Sequence, residues 1–535
     1  MRPREASGRQ YAPLVIRHDV EVPACSLRYS VNMRYIAGVL GLWLASLLSC
    51  SGCASTTRPL PPDTETRALN AAAAGAANQA APAAAGAPRL VFEISARYPA
   101  SLAYALDRVA VARGGSDLRY RQWLFGADAV TLPDWFTAYA TRRASWRATR
   151  DSGNGPYEPY SVCSHCAETQ AALLECAQQL LEPSDFALAR TAWEQADTLL
   201  HPRWLALEPV MLQWQRELQA ITSGPQGSEL AQLLARSAQL PDDEQLQFQV
   251  VLVAKPRSDE SRANQAGGYL VMEVSDERPA ISEAHVLFHE IAHLAARHAP
   301  GRPALERAFV GHGSAGVVAA GLWSEAFATA FGNGMAAERL APGFTPERSF
   351  YQDEAIDALG HALYRHWRAG GKVTLDASLG ELLLQLLDSA WPRERWRLSD
   401  VMSRVVAFSE DRESGALLRA GLRAQSMYLS SPVPPELSLP ESLSPPAPRL
   451  ILATLHTLRE RPDVLRLLHL ELASASAQVS ASGPSLYWVD DDSGPALLLT
   501  GATTESLQAA TRAFVGLQRL PPPGWTSLAT KAAGL

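Results

Sequence analysis

The spacing of apolar positions changes along the chain, and the changes mark out its elements. From about Arg89 to Pro241, stretches such as PASLAYALDRVAVA and FALARTAWEQADTLL place apolar residues three and four apart, so this region reads as mainly helical. At Leu246 the period shortens to two: Leu246, Phe248, Val250 and Leu252 alternate with their neighbours and predict a strand, and GGYLVMEVS predicts another beginning at Tyr269. Helical spacing returns after Pro279, with Ser282 as the expected N-cap and Pro300-Gly301 as the stop. Further helices are expected from about Val317 to Phe331 and from Tyr351 to Arg368. Near the end, a helical stretch around Ile451, strands in SLYWVD and ALLLTG, and a Thr-capped helix over TTESLQAATRAFVGL describe a small α/β module.

Two stretches lack such periods. Residues 54–88, with LNAAAAGAANQAAPAAAGAP, carry almost no large apolar side chain, so burial cannot offset their ordering entropy and they read as a flexible tether. SPVPPELSLPESLSPPAP, from Ser431 to Pro448, cannot continue a helix and reads as a semi-stiff linker. The chain therefore divides into an extension and signal (1–53), the tether (54–88), a helical domain (89–241), a mainly helical domain with a short sheet (242–430), the linker (431–448) and the small α/β domain (449–535). The expected fold class is α+β.

Composition narrows the partners. With 535 residues, 47% of them hydrophobic, the chain can bury several cores, and its net charge of −7 comes from mixed signs without a basic run. Nucleic acid is thereby excluded as an expected partner. MRYIAGVLGLWLASLLSCSGC, from Met33 to Cys53, has a basic start, an apolar run too short to span a bilayer, and small residues before cysteine. This ending resembles a bacterial lipoprotein signal, which implies lipidation at Cys53, preceded by Ser51-Gly52, or at Cys50. Translation is expected to start at Met33, which leaves Cys25 outside the protein. Neither Ser51 nor Ala54 is the aspartate that retains such lipoproteins, so the resemblance implies an outer-membrane anchor facing the periplasm. Of the remaining cysteines, Cys163, Cys166 and Cys176, two are expected in a disulfide, in preference to a structural zinc site completed by His165.

The chemistry concentrates in ISEAHVLFHEIAHLAARH, which contains His289-Glu290-Ile291-Ala292-His293. Residues four apart on a helix share a face, so two imidazoles can close on one metal ion while Glu290, one step round, reaches water at that ion. The surrounding Val286, Leu287, Phe288, Ile291 and Leu294 make three polar groups costly there without a task. His285 falls one turn earlier, where an outer position is expected. Downstream, GLWSEAFATAFGNG sets Glu325 in a second apolar helix, where either a metal or a buried partner would account for a carboxylate.

With these two motifs the chain resembles the gluzincin metallopeptidases, over roughly Leu246 to Gly334. The resemblance makes residues 242–430 a zincin-like catalytic domain and implies zinc held by His289, His293 and Glu325, with Glu290 as general base. Ala296 and Ala299 stand where metzincins have glycine and histidine. Thermolysin-like members carry an aspartate four residues after the glutamate; here that position is Thr329, so another group or the Thr329 hydroxyl must orient the zinc histidine. The expected activity is hydrolysis of a peptide bond in a protein or peptide substrate, with the Tyr269 to Val274 strand pairing with that substrate. Tyr351, His361 and Tyr364 are candidates to stabilise the oxyanion. The alternative is a non-catalytic, zinc-containing envelope lipoprotein that acts as a binding or scaffold protein.

Overall fold

The computed structural model describes residues 89–529, apart from 111–114, 127–131, 151–162, 166, 242–244, 257–262, 267–268, 276–278, 342, 403, 425–427, 434–446 and 493. The signal with Cys25, Cys50 and Cys53, the tether, Cys166 and most of the Pro-rich linker fall outside the described residues.

A first sheet holds β1 (Arg89–Ala96), β2 (Gln245–Ala254), β3 (Ala263–Ala266) and β4 (Tyr269–Val274) in the order β1-β2-β4-β3. β1, β2 and β4 run parallel, and β3 runs antiparallel beside β4. β1 lies in the stretch read as helical, yet Leu90, Phe92 and Ile94 alternate at period two and stand in register with Leu246, Phe248 and Val250. Parallel neighbours require a crossover. Helices supply it, among the described residues α1 (Tyr98–Ala110), α2 (Gly115–Phe125), α3 (Asp134–Arg150), α4 (Gln170–Leu180), α5 (Pro183–Ser223) and α6 (Pro225–Ser237). Residues on either side of 241 therefore share one sheet, and the expected boundary there is crossed by backbone pairing.

The alternation in β2 sorts two cores. Leu246, Phe248, Val250 and Leu252 pack with Trp204, Met211 and Trp214 of α5, whereas Val251 and Val253 face Trp193, Phe136 and Leu106 on the opposite side. α5 thus serves both cores, the first with its second half and the second with its first half.

Over the first of these cores lie α7 (Ala280–His298), α8 (Arg302–Ala308) and α9 (Gly313–Ala328), which runs on through a π-helical segment (Thr329–Ala336) into α10 (Ala337–Leu340). α11 (Glu354–Arg368) and α12 (Ala377–Ala390) complete the layer. α7 starts directly after Pro279, so Ser282 is in the first turn and not at the cap; its hydroxyl donates back to the Pro279 carbonyl at 2.8 Å. α11 starts later than its apolar spacing suggested because Asp353 caps it, accepting from the Ala355 and Ile356 amides.

After α13 (Leu398–Val401), a six-stranded sheet is built from β5 (Arg404–Ser409), β6 (Tyr428–Val433), β7 (Arg449–Thr454), β8 (Ser485–Asp491), β9 (Gly494–Gly501) and β10 (Gly524–Ser527), ordered β10-β8-β9-β7-β5-β6. α14 (Arg412–Ala424) and α18 (Thr504–Val515) cover one face; α15 (Leu455–Glu460), α16 (Pro462–Leu467) and α17 (Leu472–Ser482) cover the other. The stretch around Ile451, expected to be helical, is β7: Leu450 faces one core and Ile451 the other, so the strand shows no alternation to read. β5 and β6 precede the Pro-rich linker but pair with this sheet, so the linker connects β6 to β7 within the module. The described chain is thus mainly helical with two small sheets, an α+β arrangement. No helix among the described residues is long and apolar enough to cross a membrane.

Cys163 and Cys176 form a disulfide. Beside it His165 is buried against the Tyr269 ring, and its Nδ1 has no hydrogen-bond partner. Burial pushes its pKa down to about 4, with Asp107 opposing and Arg143 adding to the shift. An unfolded imidazole binds its proton near pH 6.5, so between pH 6.5 and 4 the unfolded state holds more protons than the native one. Stability is fully present above that window and falls on acidification through it, by about 3 kcal/mol in all. We predict that His165→Gln flattens this part of the pH dependence, measured as the difference in Tm between pH 7 and pH 4.5 for the two proteins.

Candidate metal centre

α7 sets His289 and His293 one turn apart on one face, with ring centroids 4.9 Å apart. Their Nε2 atoms approach to 3.2 Å. Glu325, in the last turn of α9, brings Oε2 to 3.5 Å from His289 Nε2 and 3.4 Å from His293 Nε2. The three atoms form a nearly equilateral triangle. Among the described residues, His289, His293 and Glu325 are the group whose ligand atoms could hold a metal ion.

The electrostatics fit a cation. Part of the Glu325 side chain remains open to solvent, but Oε2 itself is buried, and no donor reaches it with hydrogen-bond geometry. Burial pushes the Glu325 carboxyl up, and the two imidazoles outweigh it, holding the group well below the usual carboxylate range. A buried, ionised oxygen without a donor is costly unless a cation faces it. His293 Nδ1 lies 2.9 Å from Ser324 Oγ. With Nδ1–H donating there, the Nε2 lone pair is turned toward the triangle, the orientation that metal-binding histidines obtain from such partners.

Ser324 therefore takes the orienting role that the sequence left between Thr329 and another group. Thr329 is buried against Gly360, and its Oγ1 has no partner, nor does His289 Nδ1. The signal for Ser324 was its place immediately before Glu325, a polar pair in an otherwise apolar helix.

The π-helical segment performs two tasks with adjacent residues. A Cβ on Gly332 would lie 2.5 Å from His289 Cα, Cβ and N, so the segment packs on the backbone of His289. Asn333 Nδ2 donates to the Phe350 carbonyl at 2.6 Å. Asp357 accepts the Phe350 and Tyr351 amides at 2.6 and 2.9 Å, which fixes the loop before α11. The loop lays the Tyr351 ring over that of His289, centroids 5.9 Å apart and planes 17° from parallel. Burial, then the charge and hydrogen bond of Glu325, then the charge of Glu290, keep the Tyr351 phenol protonated far above its ordinary range. π-Turns inside helices recur at functional sites because they re-aim successive residues.

The other sequence candidates are placed elsewhere. His361 stacks on Phe350 at 3.7 Å and lies 3.7 Å from Asp357, supporting the loop from beneath. Tyr364 is buried in the core against Gly334. His285 lies outside the triangle, its Nδ1 is unpaired, and burial holds its pKa below the ordinary range. β4 does not offer a strand edge, since β2 and β3 pair on its two sides. The expected substrate pairing with Tyr269–Val274 is therefore blocked, and the outer edge belongs to β3.

Comparison with protein-family models, with curated proteins and with solved structures finds no match. Removing the partner of a metal-binding imidazole typically weakens binding roughly 10- to 100-fold. Ser324→Ala is expected to weaken metal binding in that range, read by competition with a chelating dye, with the fold unchanged by circular dichroism.

Proposed function

We propose that this chain is a zinc-dependent endopeptidase of the gluzincin kind, with His289, His293 and Glu325 as metal ligands and Glu290 as the general base. One observation carries the reading: the spacing of three donor atoms that converge on one point. A tetrahedron whose ligands stand 2.0–2.1 Å from its centre has edges of about 3.3–3.4 Å. The separations of 3.2, 3.4 and 3.5 Å surround that value. Two imidazoles and one carboxylate, with the fourth position left to water, form a donor set of hydrolytic zinc, whereas structural sites take four protein ligands.

When bound, the ion supplies Lewis acidity, which acidifies water and polarises a carbonyl. The chain's own groups do the rest. Glu290, one residue after His289 and near enough for its charge to act on Tyr351, accepts the proton of the attacking water and returns it to the leaving amine. Ser324 keeps His293 in the tautomer that faces inward. Tyr351, protonated and fixed by Asp357 and Asn333, donates to the oxyanion that develops on the carbonyl. An extended peptide has a strand edge to join at β3, which runs antiparallel to β4 and has no further strand partner among the described residues. The sequence supports placing this activity in the bacterial cell envelope, tethered by lipid at Cys53 or Cys50 with the protein in the periplasm.

Two variants test the chemistry. Glu290→Gln should retain bound zinc and lose cleavage of an unfolded protein such as casein by about 10²–10⁴-fold. Full turnover in that variant, or no zinc bound by wild type after reconstitution, contradicts the reading; zinc without turnover in either protein favours the scaffold alternative. Tyr351→Phe should lower kcat by about 10²–10³-fold at little changed KM and unchanged zinc content, and a kcat equal to wild type in Tyr351→Phe would remove Tyr351 from its assigned role.

A further inference from the structure

The helix that delivers Glu325 is poorly specified where it begins. α9 opens with Gly313-Ser314-Ala315-Gly316, has no acidic residue in its first turn, and receives no side-chain cap from His312. Its first amides need acceptors, and glycine is a weak helix former. An acceptor comes from 176 residues away: Asp490, in β8, takes the Ser314 amide on Oδ1 at 2.8 Å. Asp490 Oδ2 receives Arg393 Nη2 at 3.1 Å. The β8–β9 hairpin is seated on the same helix. Gly494 has φ +101°, and a Cβ there would come within 2.8 Å of Val317 Cγ2, in the next turn of α9. Buried Arg449, at the start of β7, holds that hairpin by donating from Nη2 to the Gly494 carbonyl at 3.3 Å.

A second contact reaches the other side of the centre. Arg397 stands just before α13, in the segment joined to the module by the Leu398 amide, which donates to the Gln518 carbonyl at 2.8 Å; it donates from Nη2 to Asp353 at 2.7 Å and to Asp400 at 2.9 Å. Asp353 caps α11 and stands two residues after Tyr351. Within the module, the crevice where open α/β sheets receive ligands, at the ends of β5 and β7, is taken by its own carboxylates. Glu410 accepts the Thr454 amide at 2.7 Å, and Asp411 accepts the Glu413 and Ser414 amides at 2.8 and 3.0 Å. Among the described residues, polar contacts of the module reach α9 through Asp490 and the segment before the module through Arg393, the Glu394 carbonyl and the Leu398 amide.

We infer that the C-terminal α/β module is a brace that sets the metal centre from outside, with Asp490 and Arg397 as positioning residues for Glu325 and Tyr351; the inference builds on the metal-centre reading above. Glu325 follows Ser314 by eleven residues, about 17 Å along a stiff helix at 1.5 Å per residue. A shift or fraying at the capped end moves the carboxylate relative to the two histidines on α7. Binding of the ion and docking of the hairpin are then coupled, each favouring the other by the same factor.

The test uses the full chain and zinc alone, with affinity measured by competition against a chelating dye. Asp490→Ala should weaken zinc binding roughly tenfold, within the usual range of couplings between distant sites. Asp490→Asn keeps an acceptor for Ser314 but loses the charge, and should weaken it by roughly two- to threefold. In a Glu325→Ala background, Asp490→Ala should add no further loss, because the residue acts through that carboxylate. Wild-type affinity in both Asp490 variants, or in Asp490→Asn alone should Asp490→Ala fail to fold, overturns the brace, as does a full tenfold loss persisting without Glu325. A wild type that binds no zinc instead overturns the metal-centre reading beneath it.

Discussion

Gly332 lies against the backbone of His289, and the candidate site depends on that contact. Because only a hydrogen atom fits between them, the helix running from α9 into α10 can approach α7 closely enough for Glu325 to meet two imidazoles. A wider separation would leave three polar groups apart in an apolar layer, each with its own desolvation cost. Close packing here is therefore also an electrostatic device: it gathers three separate costs into one candidate site. The π-helical turn allows the next residue, Asn333, to hold the loop of Tyr351, so one backbone irregularity serves both walls of the centre.

The candidate metal-binding group was legible in the sequence for a local reason. Spacing of four on a helix fixes the relation of His289 to His293 without tertiary information, and a lone carboxylate in an apolar helix draws attention to Glu325. What lies around them was not legible to the same degree. That Tyr351, and not His361 or Tyr364, lies over His289 depends on a loop pinned through Asp357 and Asn333, and no periodicity records that pinning. The same holds for Ser324, whose role depends on how α9 lies beside α7.

Alternation made a strand legible where it was present, and an apolar run without it left strand and helix open. The alternation of β2 identified it, whereas β7, buried on both sides, showed only an apolar run and was read as helix. β1 was lost inside a long helical pattern because a single strand of eight residues is outweighed by the helices that follow it. Composition placed boundaries at 241 and in the Pro-rich stretch, but both fall inside sheets joined across them. Long-range pairing is the part of a fold that local pattern does not encode, and here it ties the flanking helices and the C-terminal module to the layer that holds the site.

Zinc-edge X-ray absorption of the reconstituted protein tests the central claim most directly, because it reports the elements around the ion. The account predicts about four nitrogen and oxygen neighbours at roughly 2.0–2.1 Å, with the outer-shell scattering of two imidazoles. Sulfur scatterers at about 2.3 Å would place the ion with the cysteines instead, and an imidazole signal unchanged in His293→Ala would remove it from α7.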